Sequence, residues 1–274
     1  MNYKSIERNH QDLILTKINH FDLAQTLDCG QAFRWNEIGG TYSGIAHGRR
    51  IELLIENDNL IIKNCTEEEF NSTWKHYFDL NRDYTALRIQ LSEEENIKKA
   101  LAFSPGLRLI NQDPWETLVS FILSQNANIP RIKKMILGLC EAFGEALPCG
   151  GYTFPTPEKI ATLNPDDLLP IKCGYRASYI IDAASQVANG HVDIRMLNSQ
   201  PTFVVRQALL GIRGVGPKVA DCVLLYGFGR IECYPVDVWI KRITKELYPD
   251  GFPEILNAQA GIAQLFLFQY VRKR

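Results

Sequence analysis

The sequence predicts an α+β protein in which a small antiparallel sheet domain is followed by a larger all-helical domain. Between residues 12 and 64, short strand-like runs alternate with turn dipeptides, which is typical of a β-meander. From about residue 83 onward, apolar residues recur with the period of a helix. We therefore expect a sheet domain over residues 1–82 and a helical domain over residues 83–274.

Turn and capping signals define the first domain. Its predicted strands cover residues 32–37, 41–46, 49–56 and 59–64. The breaks between them carry turn residues, in the pairs Gly39-Gly40, His47-Gly48 and Asn57-Asp58. The sequence Thr66-Glu67-Glu68-Glu69 is a capping box and predicts a helix that reaches about Tyr77.

Similar signals place the later helices. Ser92-Glu93-Glu94-Glu95 matches a second capping box, and Asp113-Pro114 opens a helix over residues 115–123 with proline at a favoured early position. Further helices are predicted over residues 129–143, 156–163, 175–187, 202–210, 218–226, 238–247 and 261–272.

Composition excludes several classes of protein. The 274 residues are 46% hydrophobic and 22% charged, and their net charge of −1 argues against a protein that coats DNA nonspecifically. No apolar run approaches a membrane span, and the first residues lack the apolar core of a signal peptide. Seven scattered cysteines indicate reduced thiols, so we expect a cytoplasmic protein.

The strongest chemical signal lies between Leu209 and Arg242. The glycines of Gly214-Val215-Gly216 leave backbone amides uncovered before a helix N-terminus, so this hairpin could bind a phosphate. A glycine-rich turn without a ligand is the simpler interpretation of the hairpin alone. Lys218 lies on the first turn of the next helix, where the dipole disfavours a cation and favours the neutral amine that a nucleophile requires.

Asp237 and Cys222 add to this signal. Asp237 is predicted to cap the helix over residues 238–247, and a capping carboxylate is rigid enough to stabilise a developing positive charge. Cys222 lies four residues after Lys218 and hence on the same helical face, where its simplest role is that of a small buried hydrophobe. An amine, an acid and a phosphate-binding hairpin together indicate a base-excising DNA enzyme.

From about residue 12 to the C-terminus, the chain resembles the 8-oxoguanine DNA glycosylase/lyase family of the helix–hairpin–helix (HhH-GPD) superfamily. In the strongest match, over residues 211–238, Lys218 takes the family's catalytic lysine position and Asp237 its catalytic aspartate. The resemblance implies a bifunctional base excision repair enzyme with its hairpin at residues 211–218. It would excise 8-oxoguanine opposite cytosine through a Schiff base on Lys218 and nick the strand by β-elimination.

The resemblance also implies a base pocket. Residues 29–35, Cys-Gly-Gln-Ala-Phe-Arg-Trp, are similar to the family's Gly-Gln-x-Phe-Arg-Trp, in which the Gly30 carbonyl would accept a hydrogen bond from N7–H of 8-oxoguanine. Guanine has only an acceptor at N7 and would be rejected. Gln264 would bind the Watson–Crick edge, and Phe268 would stack opposite Cys222. The implied pocket consists of Gly30, Cys222, Pro235, Gln264 and Phe268.

Two further segments resemble the family's DNA contacts. Within residues 124–131, Asn126 would fill the space of the flipped base and Arg131 would read the opposing cytosine. Within residues 174–176, Tyr175 would act as a wedge and Arg176 as a second reader. Trp239 is a departure, since some relatives carry a histidine there near the lesion phosphate. The expected partner is double-stranded DNA containing oxidised guanine. We expect the protein to be a monomer, to bind no membrane and to be associated with a bacterial nucleoid.

Two alternatives stay open at this point. The first is a glycosylase of the same superfamily that acts on another damaged base. Relatives that act on oxidised pyrimidines or mismatched adenine usually carry a four-cysteine iron–sulfur loop, and alkylated-base glycosylases generally lack the lysine. This chain has no C-x2-C pair, so we expect no iron–sulfur cluster, no catalytic metal and no organic cofactor. A structural cation at the Gly214–Gly216 hairpin is compatible with the sequence. The other alternative is a noncatalytic module that uses the hairpin only to bind DNA.

Overall fold

A computed structural model describes residues 2–249 and 251–273 of the chain. Its strands are β1 (Ser5–Asn9), β2 (Asp12–Thr16), β3 (Trp35–Ile38), β4 (Thr41–Ala46), β5 (Arg49–Glu56) and β6 (Asn59–Ile62). They form one sheet in the order β1-β2-β6-β5-β4-β3, with antiparallel pairing. The expected small antiparallel sheet, followed by a mainly helical region, is confirmed.

The three predicted turns join β3 to β4, β4 to β5 and β5 to β6. Their six residues have φ between 49° and 83°, the left-handed conformation that tight hairpins require. The predicted strands at 41–46 and 49–56 are confirmed. The predicted strand at 32–37 is shifted, because β3 begins only at Trp35; Gln31 to Phe33 lie buried in a loop that the side chain of Gln31 ties to other segments. Strands β1 and β2 were not individually predicted.

The helices, in chain order, are α1 (Leu23–Leu27), α2 (Glu67–Glu69), α3 (Lys75–Tyr77), α4 (Tyr84–Leu91), α5 (Glu95–Phe103), α6 (Pro114–Leu123), α7 (Ile129–Phe143), α8 (Pro157–Ala161), α9 (Arg176–Ala188), α10 (Ile194–Leu197), α11 (Thr202–Leu210), α12 (Pro217–Tyr226), α13 (Val238–Leu247) and α14 (Ala260–Lys273). A π-helical turn, Phe70–Trp74, joins α2 to α3, and 3₁₀ turns cover Pro165–Ile171 and Glu254–Gln259. None of the helices in the described ranges is long and apolar enough to cross a membrane.

Capping explains where the helices begin, with one correction. Thr66 forms the predicted capping box with Glu69, and the Asp113 carboxylate accepts a hydrogen bond from the Glu116 amide at the start of α6. The second predicted capping box, at Ser92, is wrong. Ser92 ends α4, a helix that the sequence analysis did not predict, and the cap of α5 is Glu94, whose carboxylate accepts from the Ile97 amide.

The described chain forms two compact units. Unit 1 contains Met1–Gly44, Ile51–Asn111 and Ile231–Arg274, and unit 2 contains Ile45–Arg50 and Gln112–Arg230. Residues 83–111 and 231–274, assigned to the helical domain in the sequence analysis, thus group with the sheet. The predicted boundary at residue 82 follows the change from strands to helices along the chain. The two compact units follow the contacts between residues and therefore divide the chain differently.

An aromatic cluster forms much of the core of unit 1. Trp35, at the start of β3, donates a hydrogen bond from its indole N–H to the Tyr77 hydroxyl at 2.9 Å, and Phe78 packs against Trp74. Gly44 pairs with Trp35 in the sheet, and a Cβ at position 44 would lie 2.4 Å from the Trp35 ring. Glycine is therefore required there, because the indole covers the backbone of β4.

In unit 2, α6 packs against α7, α9 and α12, and α11 packs against α12. The Phe121 ring of α6 stacks on the Tyr226 ring of α12, with centroids 5.4 Å apart. Trp115 anchors the other end of α6, since its indole N–H donates to the carbonyl of Pro155. The helix that carries Lys218 therefore packs against α6, which also contacts α7 and α9.

Candidate active site

The predicted hairpin lies between α11 and α12 in unit 2. Gly214 has φ of 81°, and a Cβ there would lie 2.3 Å from the Tyr179 ring, so only glycine fits. Gly216 has an ordinary φ of −95° and open space around its Cα. Val215 is buried between them, and the Gln125 amide donates to the Gly214 carbonyl at 3.0 Å. Gly214 thus shapes the turn, whereas Gly216 leaves the backbone accessible.

The two helices that flank the hairpin are joined by a part-buried ion pair. Arg206 of α11 forms it with Asp221 of α12. Burial raises the pKa of the Asp221 carboxyl, and the nearby guanidinium only partly opposes this rise. The pair fixes α11 and α12 relative to each other within unit 2, and no local pattern in the sequence indicates it.

Lys218 lies on the first turn of α12, as predicted, and is half-buried. Its amine Nζ donates to the Ser124 hydroxyl at 3.3 Å and lies 4.8 Å from the centroid of the Phe121 ring. Both partners are electrically neutral, so these contacts orient the amine without an acidic side chain. Ser124 and Phe121 were not assigned to the site from sequence, because their nearness to Lys218 depends on the packing of α6 against α12.

Cys222 lies one turn after Lys218 on α12 and is 2% exposed. Its burial agrees with the simpler interpretation, a small side chain within the packed unit. The implied stacking of a base between Cys222 and Phe268 stays a prediction, because these residues belong to different units.

The four residues expected to contact DNA all belong to unit 2. Asn126 is exposed and has φ of 50°, a conformation that asparagine tolerates well, and its amide donates to the Tyr175 hydroxyl at 3.1 Å. The ring of Tyr175 is half-exposed and packs edge-on against Tyr179. Arg131 is exposed near the start of α7. The structure therefore brings Asn126 and Tyr175 together and leaves Arg131 accessible.

Arg176 is expected to read the opposing base, a role that needs an accessible side chain, but this side chain is buried. It is only 3% exposed, and its guanidinium donates to the backbone carbonyls of Gln125 and Cys173 while lying against the Tyr175 ring. These bonds connect the segment that carries Asn126 to the start of α9. Base reading by Arg176 stays a prediction, and in this structure the residue holds its neighbours in place.

In unit 1, α14 carries Gln264 and Phe268 one turn apart. The Gln264 Nε2 donates to the carbonyl of Pro235 at 3.2 Å, which brings together two of the implied pocket residues. Its Oε1 is buried and, within residues 2–249 and 251–273, has no hydrogen-bond partner. A buried amide oxygen without a partner is costly, so this atom is an acceptor available to a ligand.

The loop that carries Gly30 is tightly constrained. Gly30 has φ of 97°, which disfavours any other residue. The next side chain, Gln31, is buried; its amide donates to the carbonyls of Thr26 and Arg108 and accepts from the amide of Ile110. The glutamine of this motif therefore fixes the loop rather than facing a ligand, a role that the sequence analysis did not identify.

Asp237 is the N-cap of α13, as predicted, and its carboxylate accepts from the Ile240 amide at 2.7 Å. The adjoining first turn of α13 is unusually exposed for apolar residues, with Val238 84% and Trp239 50% exposed. Asp237 and Lys218 belong to different units, so their meeting at one sugar is part of the proposal below.

No cluster of three or more histidine, cysteine or acidic side chains suited to a metal occurs in the described ranges. None of the seven cysteines forms a disulfide within the described residues. Burial raises the pKa of the Cys29 thiol to about 11, so this cysteine is protonated at neutral pH. The expectations of no cofactor and of a structural cation at the hairpin stay predictions.

Comparison with known proteins agrees with this geometry. Residues 13–118 match the family model of the 8-oxoguanine DNA glycosylase N-terminal domain, and residues 119–251 match that of the HhH-GPD superfamily base excision DNA repair proteins. A probable N-glycosylase/DNA lyase of Methanothermobacter thermautotrophicus is 30% identical over 93% of this chain and 95% of its own length.

Two solved structures resemble the whole chain. The structure of MBOgg1 in complex with a low affinity DNA ligand is 42% identical, has a TM-score of 0.93, and is matched over 100% of this chain and 99% of that one. Clostridium acetobutylicum 8-oxoguanine glycosylase/lyase, in complex with DNA containing cytosine opposite 8-oxoguanine, is 35% identical with a TM-score of 0.94 over the same shares. The chain therefore belongs to the 8-oxoguanine DNA glycosylase/lyase family, within the HhH-GPD superfamily of base excision DNA repair enzymes.

Proposed function

We propose that this chain excises 8-oxoguanine opposite cytosine in double-stranded DNA and then cleaves the strand, with Lys218 as the nucleophile. The observation that carries the proposal is the Lys218 amine, held on the first turn of α12 by a hydroxyl and a ring face. Family membership and the relative bound to cytosine opposite 8-oxoguanine support it.

The chemistry begins when the damaged nucleotide leaves the duplex, a step that costs a few kcal/mol. The neutral Lys218 amine attacks C1′, the bond from C1′ to N9 breaks, and the base departs with the bonding pair and takes up a proton. Opening of the sugar ring gives a Schiff base between Lys218 and C1′. Loss of a C2′ proton then expels the 3′ phosphate, which is β-elimination and nicks the strand.

Asp237 stabilises the positive charge that develops on the sugar as the base departs. Its carboxylate is fixed by the Ile240 amide, so little reorganisation is needed when the charge appears. Lys218 and Asp237 thus act on the same extrahelical deoxyribose.

The base is recognised by hydrogen-bonding groups in unit 1. The Watson–Crick edge of 8-oxoguanine presents N–H donors, and the buried Gln264 Oε1 is an acceptor that lacks a partner in the described residues. The Gly30 carbonyl accepts from N7–H, a donor that guanine does not have. A mismatch of this kind costs about 1–3 kcal/mol in a dry pocket, enough to reject most normal bases.

Borohydride trapping tests the nucleophile. Reduction of the Schiff base should join the wild-type protein covalently to a duplex containing 8-oxoguanine, most efficiently opposite cytosine when all four opposing bases are compared. Lys218→Gln should give no adduct, because an amide cannot form the imine. Lys159→Gln, at an exposed position on α8, is the matched control and should be trapped like the wild type.

Three outcomes would contradict the proposal. An adduct with Lys218→Gln would assign the nucleophile to another residue. Trapping on alkylated or oxidised-pyrimidine duplexes, but not on 8-oxoguanine, would favour another base specificity within the superfamily. Binding without any cleavage by the wild type would favour the noncatalytic module.

A further inference from the structure

Arg272 lies on the face of α14 that carries Gln264 and Phe268, at the next position of the same four-residue spacing. Its guanidinium donates to the carbonyl of Cys29 at 3.2 Å and to that of Asp28 at 3.0 Å. These are the two carbonyls immediately before Gly30. One side chain therefore connects α14 to the loop that carries Gly30, within unit 1.

The contacts of Arg272 are directional as well as electrostatic. A guanidinium presents its N–H groups in a fixed plane, so two neighbouring carbonyls held by it cannot rotate independently. The same group lies 5.4 Å from the centroid of the Phe268 ring and contacts the Gln269 Oε1 at 3.4 Å. Arg272 is thus fixed on α14 while it holds the loop.

A second constraint acts on the other side of Gly30. The buried amide of Gln31 ties that side to Thr26, Arg108 and Ile110. Gly30 itself has no side chain and a left-handed φ, so its own conformation is intrinsically soft. The direction of its carbonyl consequently depends on the residues that hold the loop before and after it.

We propose that Arg272 is a positioning residue for base recognition: it sets the Gly30 carbonyl relative to Gln264 and Phe268. The inference rests on the proposed function, because it assigns to Arg272 the geometry by which 8-oxoguanine is distinguished from guanine. Arg272 acts through the loop and the ring and takes no part in attack on the sugar.

The experiment separates base recognition from sugar chemistry. Single-turnover rates are measured on two duplexes, one with 8-oxoguanine opposite cytosine and one with a preformed abasic site opposite cytosine. The first requires the base pocket, whereas the second requires only Lys218 and its surroundings. Cleavage of the abasic duplex also reports that each variant is folded.

Arg272→Met keeps an unbranched apolar chain against Phe268 and removes the donors. We expect 8-oxoguanine excision to fall by about 10- to 100-fold, the effect of misplacing a substrate-positioning group by roughly 1 Å. Abasic-site cleavage should stay within about twofold, because it depends on residues that Arg272 does not hold. Arg272→Lys retains the charge without the planar donor pair and should lie between wild type and Arg272→Met. Arg8→Met, at an exposed position of β1, is the control.

Two results would overturn the inference: unchanged excision by Arg272→Met, or an equal loss of excision and abasic-site cleavage in both Arg272 variants. An equal loss would mean that Arg272 only maintains the fold. Failure of the proposed function is a separate result, since it would appear in the wild type as absent excision of 8-oxoguanine.

Discussion

Asp237 combines two roles that one substitution can separate. Its carboxylate caps α13 and, in the proposed mechanism, stabilises charge on the sugar. Asparagine caps a helix about as well as aspartate but carries no charge. The cap therefore accounts for the geometry of the residue, and the charge accounts for its chemistry.

We predict that the Asp237→Asn protein is as stable as the wild type but excises 8-oxoguanine far more slowly. The free energy of unfolding, measured with urea, should change by less than about 0.5 kcal/mol, while excision of 8-oxoguanine falls by about 100-fold or more. Asp237→Ala should lose activity and also about 1 kcal/mol of stability. If Asp237→Asn excised the base at the wild-type rate, Asp237 would be a helix cap and nothing more.

At the scale of elements, the hairpin between α11 and α12 contains two glycines with different physical roles. Gly214 is required by its positive φ and by the Tyr179 ring, whereas Gly216 meets neither constraint. Gly216 is the N-cap of α12, a position that serine, asparagine or aspartate would fill at least as well, so the choice of glycine is explained if a ligand approaches this backbone closely. In the proposed function that ligand is a DNA phosphate.

The two glycines should therefore respond differently to alanine. Gly214→Ala should destabilise the protein by about 1–3 kcal/mol, the cost of a strained backbone residue. Gly216→Ala should cost no more than about 1 kcal/mol, because alanine is a poorer N-cap for α12, but it should weaken binding to duplex DNA. Equilibrium unfolding and DNA titrations at one fixed salt concentration measure the two effects. Unchanged DNA affinity of Gly216→Ala would remove the phosphate-binding role from this hairpin.

For the whole molecule, buried tyrosines set the response of stability to alkaline pH. Burial raises the pKa of Tyr84 and of Tyr248 above its usual range, and the carboxylates of Asp79 and Glu94, respectively, add to the rise. The folded state thus holds these protons more tightly than the unfolded chain does. Their contribution to stability is fully present below the unfolded pKa of about 10 and is lost as the pH rises toward the folded pKa.

Tyr248→Phe isolates one of these groups. At pH 8 the variant should be less stable than the wild type by about 1 kcal/mol, because the hydrogen bond from Tyr248 to Glu94 is lost. Between pH 10 and 11 this difference in the free energy of unfolding should shrink. In this range the unfolded wild type loses the Tyr248 proton while the folded wild type keeps it, and phenylalanine has no proton to lose. The exposed Tyr152→Phe serves as control. A difference that stays constant up to pH 11 would show that Tyr248 does not contribute to the alkaline loss.

Local signals accounted for much of the fold. Turn residues with left-handed φ placed the hairpins, and Asp113, Thr66 and Asp237 placed helix starts, because these interactions involve residues a few positions apart. The same locality explains the error at Ser92. Its sequence satisfies a capping box, but the preceding helix extends to Leu91 and leaves the capping role to Glu94.

The sequence by itself determined that a sheet region precedes a helical one, and it determined the hairpin before α12, the place of Lys218 on its helix and the cap at Asp237. Only the tertiary structure decided the surroundings of these residues. Ser124 lies 94 positions from the lysine it contacts, Arg108 lies 77 from Gln31, and Arg272 lies 243 from Cys29. No local pattern encodes such pairs, because their contact depends on how whole helices and loops pack, and packing is a property of the folded chain.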